Sequence, residues 1–133
     1  MTEAQISEGW ARRWCAAMSS GEVEQALAFY AGDVEFEDVP FQMKTAGAGF
    51  LPVMDHFVGS GNNVFEFRRF SGGEKGGAVE SLWRSQHDRD FLGVPAVGKR
   101  TEVPLVTVMT FNREGLISRH CDYWDANAVL AQL

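Results

Sequence analysis

The interval between apolar residues changes once along this chain, and that change restricts what it can fold into. One short strand aside, the first 58 residues place apolar side chains at three- and four-residue intervals; from Val64 to Trp124 they recur at intervals of two. The first spacing is that of helices packed by one stripe, the second that of strands with one buried face. Ile6, Trp10, Trp14 and Ala17/Met18 mark a helix over residues 3–19, with Thr2 and Gln5 spaced as a capping box. Ser20-Gly21 ends it, and Val23, Ala26, Leu27 and Tyr30 mark a second helix from Glu22 to Tyr30. Asp33 to Val39 alternates as a short strand that Pro40 stops. Leu51, Met54, Phe57 and Val58 suit a third helix over residues 50–58, with Pro52 in its first turn.

After the loop from Gly59 to Asn63 come four long strands. Val64 to Phe70 turns at the glycine-rich Ser71 to Gly77 into a return strand from Ala78 to about Asp90. Thr101 to Phe111 follows the loop at residues 92–98, and Pro104 within it calls for an edge or a bulge. Asn112 to Gly115 turns into a last strand, and Asp125 caps a final helix over Ala126 to Leu133. The expected fold class is α+β: a curved antiparallel sheet packed on three N-terminal helices, closing a cone. At 133 residues and 45% hydrophobic, one domain over residues 1–133 accounts for the chain.

The net charge of −6, with 12 basic residues spread through the chain and adjacent only in the pairs Arg12-Arg13, Arg68-Arg69 and Lys99-Arg100, argues against a polyanion-binding surface, so no nucleic-acid partner is expected. The N-terminal stretch reads as no signal peptide, and no apolar run reaches the ~18 residues of a spanning helix. A cytoplasmic protein without a membrane partner is the expectation. Cys15 and Cys121 are too few for a disulfide framework or a Cys-rich metal site and read as buried thiols.

The chemistry concentrates in Gly115-Leu-Ile-Ser-Arg-His-Cys-Asp-Tyr-Trp-Asp125. As a strand it puts Ser118, His120, Asp122 and Trp124 on one face, an imidazole beside a carboxylate. An ionised Asp inside a protein must be paired, hydrogen-bonded or wet, which points to a pocket. The earlier strand sets Asp38 on the face of Phe36. His120 and Asp122 offer two metal ligands from one face but the sequence gives them no third, so neither a metal nor a cofactor is expected.

The layout, together with Phe-Tyr-Ala-Gly-Asp-Val-Glu-Phe, Phe-Leu-Gly-Val-Pro-Ala-Val-Gly-Lys and the 115–125 run, resembles the cone-fold superfamily named after nuclear transport factor 2. Within it the chain looks most like SnoaL-like polyketide cyclases and limonene epoxide hydrolases. The resemblance implies that Asp122 is a catalytic proton shuttle on the last strand. It places Arg84 as the arginine of the hydrolases' Asp-Arg-Asp set, with Gln86 where the companion carboxylate stands, and Val108 where the cyclases keep a histidine. Similarity to ketosteroid isomerase puts Asp38 at the general-base position, with Trp14 and Thr107 at those of the oxyanion donors. His87 falls where many SnoaL-like sequences have a histidine, although strand parity sets it opposite Arg84 and Gln86.

The resulting expectation is a cofactor-free acid–base enzyme acting on a small lipophilic substrate by cyclisation, isomerisation or epoxide hydrolysis. Asp122, Arg84 and Asp38 are its catalytic residues, and Gln86, His120, Phe36, Trp124, Trp14, Tyr30, Leu82 and His87 its substrate contacts. The alternative is a non-catalytic binding or dimerisation module of the same fold. A homodimer is expected either way, because a sheet this size has an outer face with apolar residues.

Overall fold

The computed structural model describes residues 6–95 and 98–133. Helix α1 (Glu8–Met18) buries Trp10, Ala11, Trp14, Cys15, Ala17 and Met18, the stripe that the spacing predicts. Its start is set by Ser7 in extended conformation; the Thr2–Gln5 capping box lies outside the described residues. At the other end the Ser19 hydroxyl donates to Cys15 O at 2.7 Å and accepts from Phe65 N at 2.8 Å, riveting the helix end to the sheet. Helix α2 (Val23–Leu27) is one turn shorter than expected, because Tyr30 already opens strand β1 (Tyr30–Asp38). A hairpin carries β1 into β2 (Met43–Ala46), a strand not anticipated from the sequence, and a 3₁₀ turn at Gly47–Gly49 leads to α3 (Phe50–Phe57). The buried stripe of α3 is Phe50 and Met54; Leu51, expected inside, is 48% exposed.

Strands β3 (Asn63–Gly72), β4 (Gly76–Gln86), β5 (Arg100–Phe111) and β6 (Ile117–Trp124) form the expected meander, and α4 (Ala126–Leu130) closes the chain, its first turn capped by Asp125 through Asn127 N and Ala128 N. The sheet order is β2-β1-β6-β5-β4-β3, and every neighbouring pair is antiparallel except β1 and β6. That parallel pair joins the first long strand to the last and sets Phe36 opposite His120 and Asp38 opposite Asp122. Pro104 sits in an interior strand without disturbing its register to β4. Strand β6 ends at Trp124, opposite Leu105, so β5 is a local edge at Pro104 and the missing N–H breaks no ladder there.

The curved sheet folds around α1 and α3, and the core between them is aromatic: Trp10, Trp14, Phe36, Phe50, Phe65, Trp83 and Trp124 are all buried. Each such side chain contributes roughly 2–3 kcal/mol by leaving water. Both cysteines are free and buried. Among the described residues no helix is long and apolar enough to cross a membrane.

Candidate active site

At the narrow part of the cone, three strands turn polar groups into this aromatic core. Alternation on β6 points His120 and Trp124 inward with Asp122 between them; β1 adds Phe36 and Asp38, and β5 adds Leu105 and Thr107. With Trp14, Phe50, Met54 and Phe57 from the helices and Trp83 from β4 they line a cavity of ≈ 30 Å³, room for one or two water molecules.

The polar groups form two hydrogen-bonded sets. In the first, Trp14 Nε1 donates to the Tyr30 hydroxyl at 3.1 Å, and that hydroxyl lies 2.9 Å from His120 Nδ1. An indole N–H can only donate, so the phenol accepts from Trp14, and two acceptors stand within reach of its own proton, His120 Nδ1 and Met18 Sδ at 3.7 Å. On the other side of the ring His120 Nε2 lies 2.8 Å from Asp122 Oδ1, out of line for a hydrogen bond. Thr107 Oγ1 donates to the same Oδ1 at 2.7 Å. Asp122 Oδ2 is thereby left without a protein partner among the described residues. Burial pushes the Tyr30 phenol well above its ordinary pKa; donation from Trp14 opposes this and the charge of Asp122 adds to it, so the group stays a phenol.

In the second set, Trp124 Nε1 reaches both Asp38 oxygens at 3.0 and 3.1 Å, and Phe41 N donates to Oδ1 at 3.1 Å. These donors favour the carboxylate, yet burial outweighs them, and with repulsion from Asp122 it raises the Asp38 pKa from 3.8 to about 6. Asp38 and Asp122 are thus two carboxyl groups held in unlike environments on adjacent strands. Among the described residues no three His, Cys, Asp or Glu side chains gather as metal ligands would.

Phe36, Asp38, His120, Asp122, Trp124 and Trp14 meet at this cavity, and Tyr30 stands directly behind His120. Strand β4 corrects three expectations. Its inward residues are Val79, Ser81, Trp83 and Ser85, so Arg84, Gln86 and Leu82 face away from the cavity. Arg84 cannot orient Asp122: its Nε pairs with Glu102 Oε2 at 2.8 Å and its Nη1 with Glu66 Oε1 at 3.2 Å, on the solvent side of the sheet. His87 is buried, but it belongs to a neighbouring polar cavity, where Nε2 meets Thr101 Oγ1 at 2.7 Å. Sequence reasoning missed the bond from Thr107 to Asp122 and the inward position of Trp83; the first needed the β5–β6 register.

A family model described as a SnoaL-like domain matches residues 11–120. The chain belongs to that family. A proposed polyketide cyclase from Pseudomonas putida superposes with a TM-score of 0.78 at 20% identity, covering 100% of this chain and 98% of that one. SalBIII, an epoxide hydrolase/cyclase-like enzyme of pyran ring formation in the polyether salinomycin, gives 0.78 at 17% identity over 96% and 97%. IdmH, a proposed polyketide cyclase from Streptomyces antibioticus, gives 0.74 at 20% identity over 95% and 97%. No curated protein matches the sequence. At these identities the likenesses carry the fold: a SnoaL-like cone with a six-stranded curved sheet and four helices.

Proposed function

We propose that this SnoaL-like chain is a cofactor-free acid–base enzyme acting on a small lipophilic molecule, with Asp122 as the proton shuttle. The observation that carries the reading is the pairing of Asp122, fixed through Oδ1 and open at Oδ2, with Asp38, whose pKa is raised to about 6, inside an otherwise apolar cavity. Two carboxyls pushed apart by environment can divide the work of base and acid. Asp122 removes a proton from carbon beside a carbonyl. Asp38, whose raised pKa of about 6 leaves a protonated fraction near neutral pH, supplies one to the developing oxyanion, and the bond from Thr107 holds Asp122 in place. Aldol ring closure, isomerisation and water addition all fit this division. The cyclase and epoxide hydrolase/cyclase-like neighbours favour the first and third of these. General acid–base assistance contributes roughly 10²–10⁴-fold, and positioning in the cone supplies the remainder.

A second reading, a binding or dimerisation module, has its own support. The cavity of ≈ 30 Å³ is small, and Val108 and Tyr123 are exposed on the outer sheet face at 36% and 48%, where a second copy could pack. Native mass spectrometry with a panel of lipophilic epoxides, enones and polyketide-like aromatics separates the two. Conversion by wild type, with the same ligand retained unchanged by Asp122→Asn, supports the enzyme; equal conversion by both proteins would remove Asp122 from the chemistry, and retention without conversion in both supports the module.

A further inference from the structure

Beside the inner cavity lies a second one of ≈ 50 Å³, lined by His56, Ser60, Asn62 and His87 among other polar side chains. Two side chains, Phe57 and Trp83, line both. They differ in how firmly they are held. Trp83 is 5% exposed, its Nε1 donates to the buried Asn63 Oδ1 at 2.8 Å, and its ring packs against Phe65 and Trp124. Phe57 is half-buried at the last position of α3, meets the neighbouring His56 ring edge-on at a centroid distance of 5.0 Å and Phe41 and Trp83 at 6.1 and 6.4 Å, and precedes the Gly59-Ser60-Gly61 turn. The Phe57 side chain has no polar atom, so turning it breaks no hydrogen bond.

We infer that the two cavities are halves of one binding slot partitioned by Phe57, and that the ligand is an elongated, uncharged molecule. Its apolar reacting end occupies the Asp38–Asp122 cavity, and a hydroxyl- or carbonyl-bearing tail reaches His56, Ser60, Asn62 and His87. The inference rests on the acid–base reading for which end reacts, but not for the binding. Neither half alone holds more than a few water molecules, so a ligand larger than solvent has to span both. The second half is suited to a neutral partner. Burial lowers the pKa of both imidazoles, helped by Arg89 at His56 and opposed by Asp88 at both rings. Nε2 of His87 is taken by Thr101, which leaves Nδ1 for a ligand. Asp88 and Asp90 against Arg89 make this half acidic, which opposes an anionic tail.

The test uses the whole protein and three probes: 2-acetylnaphthalene bare, with a hydroxyhexyloxy tail, and with a carboxypentyloxy tail. Fluorescence titration should show the hydroxyl-tailed probe binding about tenfold tighter than the bare ring, the worth of one or two net hydrogen bonds. The carboxylate tail should forfeit that gain. In Phe57→Trp the difference between the bare and hydroxyl-tailed probes should vanish. In wild-type protein the imidazole NMR resonances of His56 and His87 should move with the hydroxyl-tailed probe and stay still with the bare ring, a readout that stands even if the variant does not fold. Equal affinity for the bare and hydroxyl-tailed probes, still imidazoles, or no binding of either probe overturns the proposal. All these readouts are of binding, so an Asp122→Asn variant that still turns over substrate would sink the acid–base reading and leave them untouched.

Discussion

The sheet carries ionisable side chains on both faces, and the two faces treat them in opposite ways. On the outer face Arg68, Glu66, Arg84 and Glu102 form a run of ion pairs across β3 to β5, with side chains 42–55% exposed. Water screens them, and each can be replaced by a hydrated neighbour at little cost. On the inner face His120 is 2% exposed and Asp38 3%, and His120 Nδ1, Asp122 Oδ1 and both Asp38 oxygens each meet a specific partner. The outer charges outnumber the inner ones and look more like a catalytic constellation on paper. Desolvation, which one residue of strand parity decides, is what makes a carboxyl group capable of chemistry near neutral pH.

The contrast can be broken most decisively by activity. Asp122→Asn should lower turnover about 10²–10⁴-fold, whereas Glu102→Gln on the outer face should leave it unchanged; comparable losses in steady-state assays of the two variants would erase the distinction. Next in size is Tyr30→Phe, which strands the Trp14 indole N–H and His120 Nδ1 in the core. Each unpaired group should cost about 1–3 kcal/mol in urea denaturation; a variant as stable as wild type would mean that the relay is slack.

Asp38→Asn sharpens the comparison through pH. Its folded pKa of about 6 stands above the ordinary 3.8. The wild-type advantage of a protonated Asp38 is thus complete below pH 3.8 and is lost as pH rises through about 6. The variant should therefore match wild type in acid and exceed it at pH 8 by at most about 3 kcal/mol. A stability difference that is flat between pH 4 and 8 would show that Asp38 is not strained by burial. Smallest of all, Arg84→Gln should leave the melting temperature within error, and added salt should not change that result; a clear drop would show that the outer ladder holds the sheet.

How far the sequence carries the reader follows the same divide. Strand β6 was legible because His120, Asp122 and Trp124 share a parity that its flanking turn and cap fix at both ends. The helices were legible except at their ends: Tyr30 fits a helical stripe as well as a strand, and only its pairing with Ile117 decides. Strand β4 was misread because both its faces hold apolar residues, Leu82 outside and Trp83 inside, so alternation alone gives no direction. Its inward serines sit where a reader looks for Arg84 and Gln86. The short β2 has one half-buried face and too few residues for a period to show.

The parallel pairing of β1 with β6 also bears on how the protein comes into being. Asp38 waits for a partner that lies 84 residues further along, on a strand that sits between β1 and β5 in the sheet. Contacts this distant in sequence form late and slowly. On a ribosome, an emerging chain that has not yet delivered Ile117–Trp124 has neither carboxyl pair nor relay. The two facing carboxyl groups are thus a mark of the completed sheet.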